Sequence, residues 1–379
     1  MLDERIKPIV MPKWGLSMSE GKVTNWLKPV GTRVALGDEI LEVETDKIAG
    51  VVEAGDAGTL RRVIGEPAVI YPVKALLGVI AADDVSDAEI DAYVSGYVTP
   101  AADDDNDPET GPRYDFVETP AGSIRYARRG DGAEVVVLVH GFGGDLDNWL
   151  FNIDTLAGKA TVYALDLPGH GQSTKTLSEP SLVGLANALT GFMDAVGVDS
   201  AHLVGHSMGG AVALQTAIGA AERVKSLTLI SSAGLGSEIN GAYIDGFVAA
   251  ASRRNLKPVV EQLFGDPNLV SRQLLDDLLK YKRLDGVGEV LSSLARALFA
   301  DGRQATVLVK DLAGMRQPAL VIWGANDRII PSSHAAASGN ARVEVIEGAG
   351  HMVQMEQAGR VNELILAHVA GQTKGSERV

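Results

Sequence analysis

At 379 residues the chain has room for two or three domains and, with 46% hydrophobic residues, for at least one sizeable core. A formal net charge of −15 argues against nucleic acid or an anionic membrane as the main partner, and the absence of cysteine excludes disulfides, thiolate metal sites and a cysteine nucleophile. No segment reaches the roughly 18 uninterrupted apolar residues of a spanning helix, and the charged start Met1-Leu2-Asp3-Glu4-Arg5 lacks an apolar signal region, so a soluble cytoplasmic protein is expected.

Residues 1–82 read as a small all-β domain. Short β-prone runs at 7–11, 21–27, 39–43, 51–53 and 75–81 are separated by Gly, Pro or Asp turn signals at close spacing. A faint internal repeat runs through them: the pattern of residues 28–45, with Gly37-Asp38 before Glu-Ile-Leu-Glu-Val, returns in degraded form over 65–80, with Pro72-Val73-Lys74 before Leu-Leu-Gly-Val-Ile. Residues 83–112 turn to Asp, Ala, Pro and Gly, with the run Asp103-Asp104-Asp105, and read as an acidic flexible linker. From 113 to 372 near-continuous apolar strands (135–140, 160–166, 201–205, 224–231, 318–323, 342–347) alternate with helical periods such as 182–196 and 209–221. That alternation predicts a mostly parallel sheet with helices on both faces. Residues 233–312 break it and are mostly helical, as an inserted cap would be.

Within the first domain, Glu42-Val43-Glu44-Thr45-Asp46-Lys47-Ile48 places a lysine between two β-prone runs, at a tight turn. A lone Asp-Lys pair is more often an ordinary surface lysine. Its context changes that reading. Met11-Pro12-Lys13-Trp14-Gly15-Leu16-Ser17-Met18-Ser19-Glu20-Gly21, then Trp26, Gly31, Gly37-Asp38 and the Lys47 segment, resemble the lipoyl domain of 2-oxo acid and acetoin dehydrogenase complexes. Asp46-Lys47-Ile48, where biotin-carrying domains have Met-Lys-Met, favours lipoate, so the resemblance implies covalent lipoylation of Lys47. The sequence departs from the family at Lys74, where glycine is usual at the turn.

Gly205-His206-Ser207-Met208-Gly209-Gly210 follows an apolar strand and opens an alanine- and leucine-rich helix, the setting of a nucleophile elbow. His140-Gly141-Phe142-Gly143-Gly144 follows another strand, so the amides of Phe142 and Met208 could pair as an oxyanion hole. Asp327 and His351 each follow a later strand, giving the order Ser207, Asp327, His351. A serine hydroxyl needs an imidazole to take its proton and a carboxylate to fix the tautomer. Asp166, which precedes the serine, is the rival carboxylate. His140, His170 and His206 read as residues that orient loops; His202, His334 and His368 have no partner legible in sequence. With Asp166-Leu167-Pro168-Gly169-His170-Gly171, these motifs resemble the α/β-hydrolase fold.

A lipoyl domain joined to an α/β-hydrolase domain resembles the acyltransferase component of bacterial acetoin dehydrogenase complexes. That resemblance implies acetyl transfer from lipoyl-Lys47 to coenzyme A, beside a thiamine-diphosphate-dependent partner that cleaves acetoin and a flavoprotein dihydrolipoamide dehydrogenase; a homo-oligomer is expected. The His-x-x-x-Asp-Gly motif of trimeric acyltransferase domains is absent and no peripheral-subunit-binding domain is recognisable, so the catalytic role would fall on the hydrolase-like domain. Two other readings stay open at this point. One is hydrolysis of an ester, a thioester or a carbon–carbon bond next to a ketone; the other is a carrier or scaffold without catalysis.

Overall fold

The computed structural model describes residues 5–12, 18–45, 49–100 and 114–376. The chain divides into two compact units, Met1–Pro112 and Arg113–Val379.

In the first unit, the described residues form eight strands: β1 (Ile6–Val10), β2 (Glu20–Trp26), β3 (Arg33–Val34), β4 (Glu39–Glu44), β5 (Ala49–Glu53), β6 (Gly58–Val63), β7 (Ile70–Pro72) and β8 (Leu76–Ala81). They build two antiparallel sheets, ordered β1-β8-β6-β3 and β5-β4-β2-β7. Adding four to each strand number of the first sheet, cyclically, yields the order of the second. The weak repeat in the sequence is therefore a two-fold repeat of the fold. Inward-facing apolar residues, among them Val23, Leu41, Val43, Leu60 and Leu77, fill the space between the sheets, and Trp26 donates from Nε1 to the Gly65 carbonyl at 2.7 Å. The repeated turn before β4 holds Gly37 at φ 86°. Its counterpart before β8 holds Lys74 at φ 68°, so the lysine occupies the left-handed conformation that glycine adopts freely.

The expectation of a flexible linker over 83–112 is wrong for its first half. A helix, α1 (Asp87–Gly96), starts at a Ser86/Glu89 capping box and packs Ile90 and Tyr93 against Ile6, Leu76 and Val79. Its acidic residues face a basic strand: Arg61 pairs with Asp87 at 2.9 Å, and Arg62 with Asp91 at 2.9 Å. What reads in sequence as a solvated acidic run is one side of a charge-matched interface. Residues 101–112, the rest of that expected linker, lie outside the described residues.

In the second unit, eight described strands form one sheet: β9 (Tyr114–Thr119), β10 (Gly122–Arg129), β11 (Val135–Val139), β12 (Thr161–Leu165), β13 (Ala201–His206), β14 (Val224–Ile230), β15 (Ala319–Gly324) and β16 (Arg342–Ile346). The order is β16-β15-β14-β13-β11-β12-β10-β9, parallel from β16 to β12, with the β9–β10 hairpin antiparallel at one edge. The sequence reading began its strands at 135 and missed this hairpin, whose residues alternate between exposed and covered faces rather than forming a continuous apolar run. The helices that accompany the sheet are α2 (Ile153–Ala157), α3 (Leu182–Ala195), α4 (Met208–Gly219), α10 (Val353–Glu356) and α11 (Ala358–Ser376). Between β14 and β15 the chain leaves the sheet and builds α5 (Gly241–Ala249), α6 (Arg253–Val260), α7 (Arg272–Lys282), α8 (Val287–Leu298) and α9 (Val309–Gly314). No helix among the described residues is long and apolar enough to cross a membrane.

Candidate active site

The sharpest backbone feature of the second unit lies where β13 hands over to α4. Ser207, between them, has φ 53° and ψ −120°, a conformation costly for any residue with a Cβ. Two glycines make the turn feasible. A Cβ on Gly205 would lie 2.3 Å from the Gly209 carbonyl oxygen, and one on Gly209 would lie 2.2 Å from that of Val139. Hydrogen bonds from Ser207 N–H to the Ile230 carbonyl (2.9 Å) and from Ala233 N–H to the Ser207 carbonyl (3.0 Å) hold the strained residue.

The loop after β11 approaches it closely: a Cβ on Gly141 would lie 3.0 Å from the Ser207 Cβ. His140 shapes this loop. Its Nε2 accepts from Leu167 N–H at 3.0 Å, so Nδ1 carries the proton and donates to the Gly141 carbonyl at 2.8 Å. Full burial pulls its pKa down to about 4, which keeps the ring neutral. Met208 opens α4, where the first amides have no intrahelical acceptor. Among the described residues no protein group accepts from the amide of Met208 or of Phe142.

Asp327 and His351 come together from the loops after β15 and β16. His351 Nδ1 lies 2.8 Å from Asp327 Oδ2, both side chains being out of contact with solvent. Asp327 Oδ1 accepts from the amides of Ile329 (2.8 Å) and Ile330 (3.0 Å), which fixes the carboxylate plane. With Nδ1 donating to the carboxylate, Nε2 of His351 is left as an acceptor. Asp166 sits elsewhere. It is fully buried against Arg125 (2.7 Å), accepts the amides of Leu146 and Gln172, and so braces the loop after β12.

Two further residues position the His351 loop. His206 Nε2 lies 3.0 Å from the His351 carbonyl, and burial holds its pKa well below the usual histidine range. Glu356, which the sequence reading passed over, accepts Gly350 N–H at 2.8 Å and, from the cap, Gly265 N–H at 2.7 Å; burial raises its pKa. It is the only acidic residue between Glu347 and the end of α10, and that isolation in an apolar turn was the available signal.

The remaining histidines acquire partners. His202 meets Ser226 Oγ at 2.7 Å and Glu134 at 3.0 Å, and His334 meets Glu238 at 2.6 Å. His170 Nδ1 lies 3.1 Å from the Pro168 carbonyl, and burial takes its pKa down to about 3. No cluster among the described residues could hold a metal ion.

Ser207, His206 and His351 open into one cavity. The cap supplies much of its wall, through Tyr243, Phe247, Phe264, Leu274 and Leu278. Among the described residues the lining carries no Arg, Lys, Asp or Glu. Such a site can desolvate a neutral, largely apolar group at little cost, whereas an unpaired carboxylate would lose its hydration with nothing to replace it.

In the first unit, β4 and β5 pair antiparallel, with Glu44 opposite Ala49 as the last pair of the hairpin. The four residues 45–48 connect them, and Lys47 is among these; Asp46, Lys47 and Ile48 lie outside the described residues. A lysine in the tip connection of a β-hairpin fits covalent attachment of an arm that must reach other sites.

Comparison with known proteins agrees with both units. A family model described as the alpha/beta hydrolase fold matches residues 134–358, and one described as biotin-requiring enzyme matches residues 7–68. The chain is 55% identical over 367 residues, 97% of its own length and 98% of the relative's, to the dihydrolipoyllysine-residue acetyltransferase component of the acetoin cleaving system of Cupriavidus necator. Over 64% of the chain, and 89% of the relative, it is 31% identical to a 2-hydroxy-6-oxononadienedioate/2-hydroxy-6-oxononatrienedioate hydrolase of Burkholderia vietnamiensis. Among solved structures, a meta-cleavage product hydrolase from Pseudomonas fluorescens IP01 superposes with a TM-score of 0.62 at 25% identity, covering 68% of this chain and 97% of that one.

Proposed function

The chain belongs to the family of dihydrolipoyllysine-residue acetyltransferase components of acetoin cleaving systems, and we propose that it takes an acetyl group from a lipoyl arm on Lys47 and passes it to coenzyme A through Ser207. The observation that carries this reading is the uncharged lining of the cavity around Ser207 and His351. An acetyl thioester on an aliphatic arm is neutral and suits it. A dioate such as those named for the hydrolase relatives would bring two carboxylates into a wall without a cation.

When bound to Lys47, lipoate supplies the thiol that carries the acyl group to the site. The chain's own residues then act in two half-reactions. Ser207 Oγ gives its proton to Nε2 of His351 and attacks the thioester carbonyl. The amides of Phe142 and Met208 hold the oxyanion, and Asp327 stabilises the imidazolium. The carbon–sulfur bond breaks and the departing sulfur takes the proton from His351, leaving acetyl-Ser207. In the second half, the thiol of coenzyme A gives its proton to His351 and its sulfur attacks the acyl-serine. The carbon–oxygen bond breaks, and Ser207 recovers its hydrogen from His351. Water is the competing nucleophile, and the cap residues that wall the cavity limit its entry. The partners in this reading are a thiamine-diphosphate-dependent component that generates the acetyl group and a flavoprotein that reoxidises the arm; the protein acts in the cytoplasm, as a homo-oligomer.

Two substitutions test the division of labour. Ser207→Ala should lower acetyl transfer to coenzyme A by at least about a thousandfold. Lys47→Arg should abolish turnover of the whole system while leaving turnover of a free small thioester at the Ser207 site intact. Equal loss of both activities in Lys47→Arg, or undiminished transfer in Ser207→Ala, would refute the reading.

A further inference from the structure

Beside the main cavity lies a second, smaller one that the proposed reaction does not use. Its lining includes Leu182, Met208, Ala211 and Gly234. Phe299 lines both cavities, and among the described residues it is the one side chain they share.

Phe299 follows α8 directly, its amide bonded to the Ala295 carbonyl at 2.9 Å, and its side chain is buried. The ring stands edge-on to that of Phe142, with centroids 5.9 Å apart and planes at 86°. Phe142 meets Phe247 in the same manner at 6.1 Å. Edge-to-face packing of this kind favours one placement of the ring, and there Phe299 walls both cavities.

The position of that wall bears on substrate size. An acyl carbonyl bonded to Ser207 and held by the amides of Phe142 and Met208 has its remaining substituent, the acyl chain, close to both residues. The Phe142 ring abuts Phe299, and Met208 lines the second cavity. A chain longer than acetyl growing from that point meets the Phe299 ring, with a mostly apolar space, edged by Gln304 and Thr306, behind it.

We propose that Phe299 is a specificity-determining partition that restricts the acyl group on Ser207 to a short chain, with the second cavity as the space its removal would open to longer ones. This rests on the reading that Ser207 carries the acyl group. Each methylene moved from water into apolar surroundings is worth about fourfold in binding, so opening the partition should favour long chains in steps.

The test compares p-nitrophenyl acetate, butyrate and hexanoate on the full-length chain. Release of nitrophenol reports acylation of the Ser207 site whether coenzyme A or water finally takes the acyl group, so the result stands even if the transferase reading fails. In Phe299→Ala the hexanoate-to-acetate ratio of kcat/KM should rise at least about tenfold. Adding Ala211→Leu, which refills the second cavity from α4, should bring the ratio back towards its starting value. An unchanged ratio in Phe299→Ala overturns the proposal. So does a raised ratio that Ala211→Leu fails to reverse, because the substitution would then only have loosened the site. Should Phe299→Ala fail to fold, the smaller change Phe299→Leu decides. A butyrate-to-acetate ratio raised at least about threefold supports the partition, and an unchanged one refutes it.

Discussion

The site depends on residues whose conformation or company is costly to maintain. Ser207 keeps a left-handed backbone because Gly205 and Gly209 admit neighbouring carbonyls at distances no side chain would allow. Asp327, not Asp166, faces His351, and the difference is one of partners. Asp166 is consumed by Arg125 and two backbone amides, a role that a sequence cannot separate from catalysis because both are buried carboxylates. Glu356 is the residue whose importance emerged only in three dimensions. Its carboxylate bridges Gly350, next to His351, and Gly265 of the cap. Glu356→Gln leaves an amide NH₂ facing one of those donors. It should lower kcat for small esters about tenfold with a smaller effect on KM, because a displaced His351 loop spoils geometry more than binding. Steady-state kinetics decide it; an unchanged kcat would mean that the bridge positions nothing.

At the scale of elements, most of the architecture was legible because it follows from periodicity. Of the parallel strands β11 to β16, all but the exposed edge strand β16 are largely buried, mostly apolar runs, and each of the three proposed triad residues lies just beyond the carboxyl end of one of the six. The two-fold repeat of the first unit could be read, faintly, from its paired turns. The failure was α1. Its acidic residues resemble a solvated tail when the basic strand that neutralises them, with Arg61 and Arg62, lies some 25 residues earlier. The apolar contacts matter more than the ion pairs here. Ile90 is fully buried, so Ile90→Ala should destabilise the first unit by about 2–4 kcal/mol. Asp91→Ala, which removes a half-exposed pair, should cost less than about 1 kcal/mol. Urea unfolding followed by tyrosine or tryptophan fluorescence separates the two. Equal effects would make α1 an electrostatic attachment rather than part of the core.

At the scale of the whole molecule, fold class and two-unit organisation were carried by the sequence, whereas the cap's contribution to the cavity was not. Its pocket-lining residues, such as Tyr243, Phe264 and Leu274, come from separate helices whose packing no local pattern encodes. Burial also sets how stability responds to pH. His140 and His170 have folded pKa values near 4 and 3, below the unfolded value of about 6.5. Below pH 6.5 the unfolded chain binds protons that the folded chain refuses, so stability is complete above that pH and declines as pH falls towards the folded values. The loss should reach about 2 kcal/mol per histidine by pH 5. Glu356, whose pKa is raised, opposes this only near and above its ordinary range. Denaturant midpoints for the second unit should therefore fall steadily from pH 7 to 5, and a flat profile would show that these rings charge without penalty.

The central claim is that one serine receives the acetyl group from the arm and surrenders it to coenzyme A. The most direct measurement is rapid-quench mass spectrometry of the lipoylated, full-length protein charged with an acetyl donor, with and without coenzyme A. The account predicts a transient acetyl mass on the peptide containing Ser207, which decays faster when coenzyme A is added and yields matching acetyl-coenzyme A. A Ser207 peptide that never acquires acetyl, or an acetyl-serine whose decay ignores coenzyme A and releases only acetate, would contradict it.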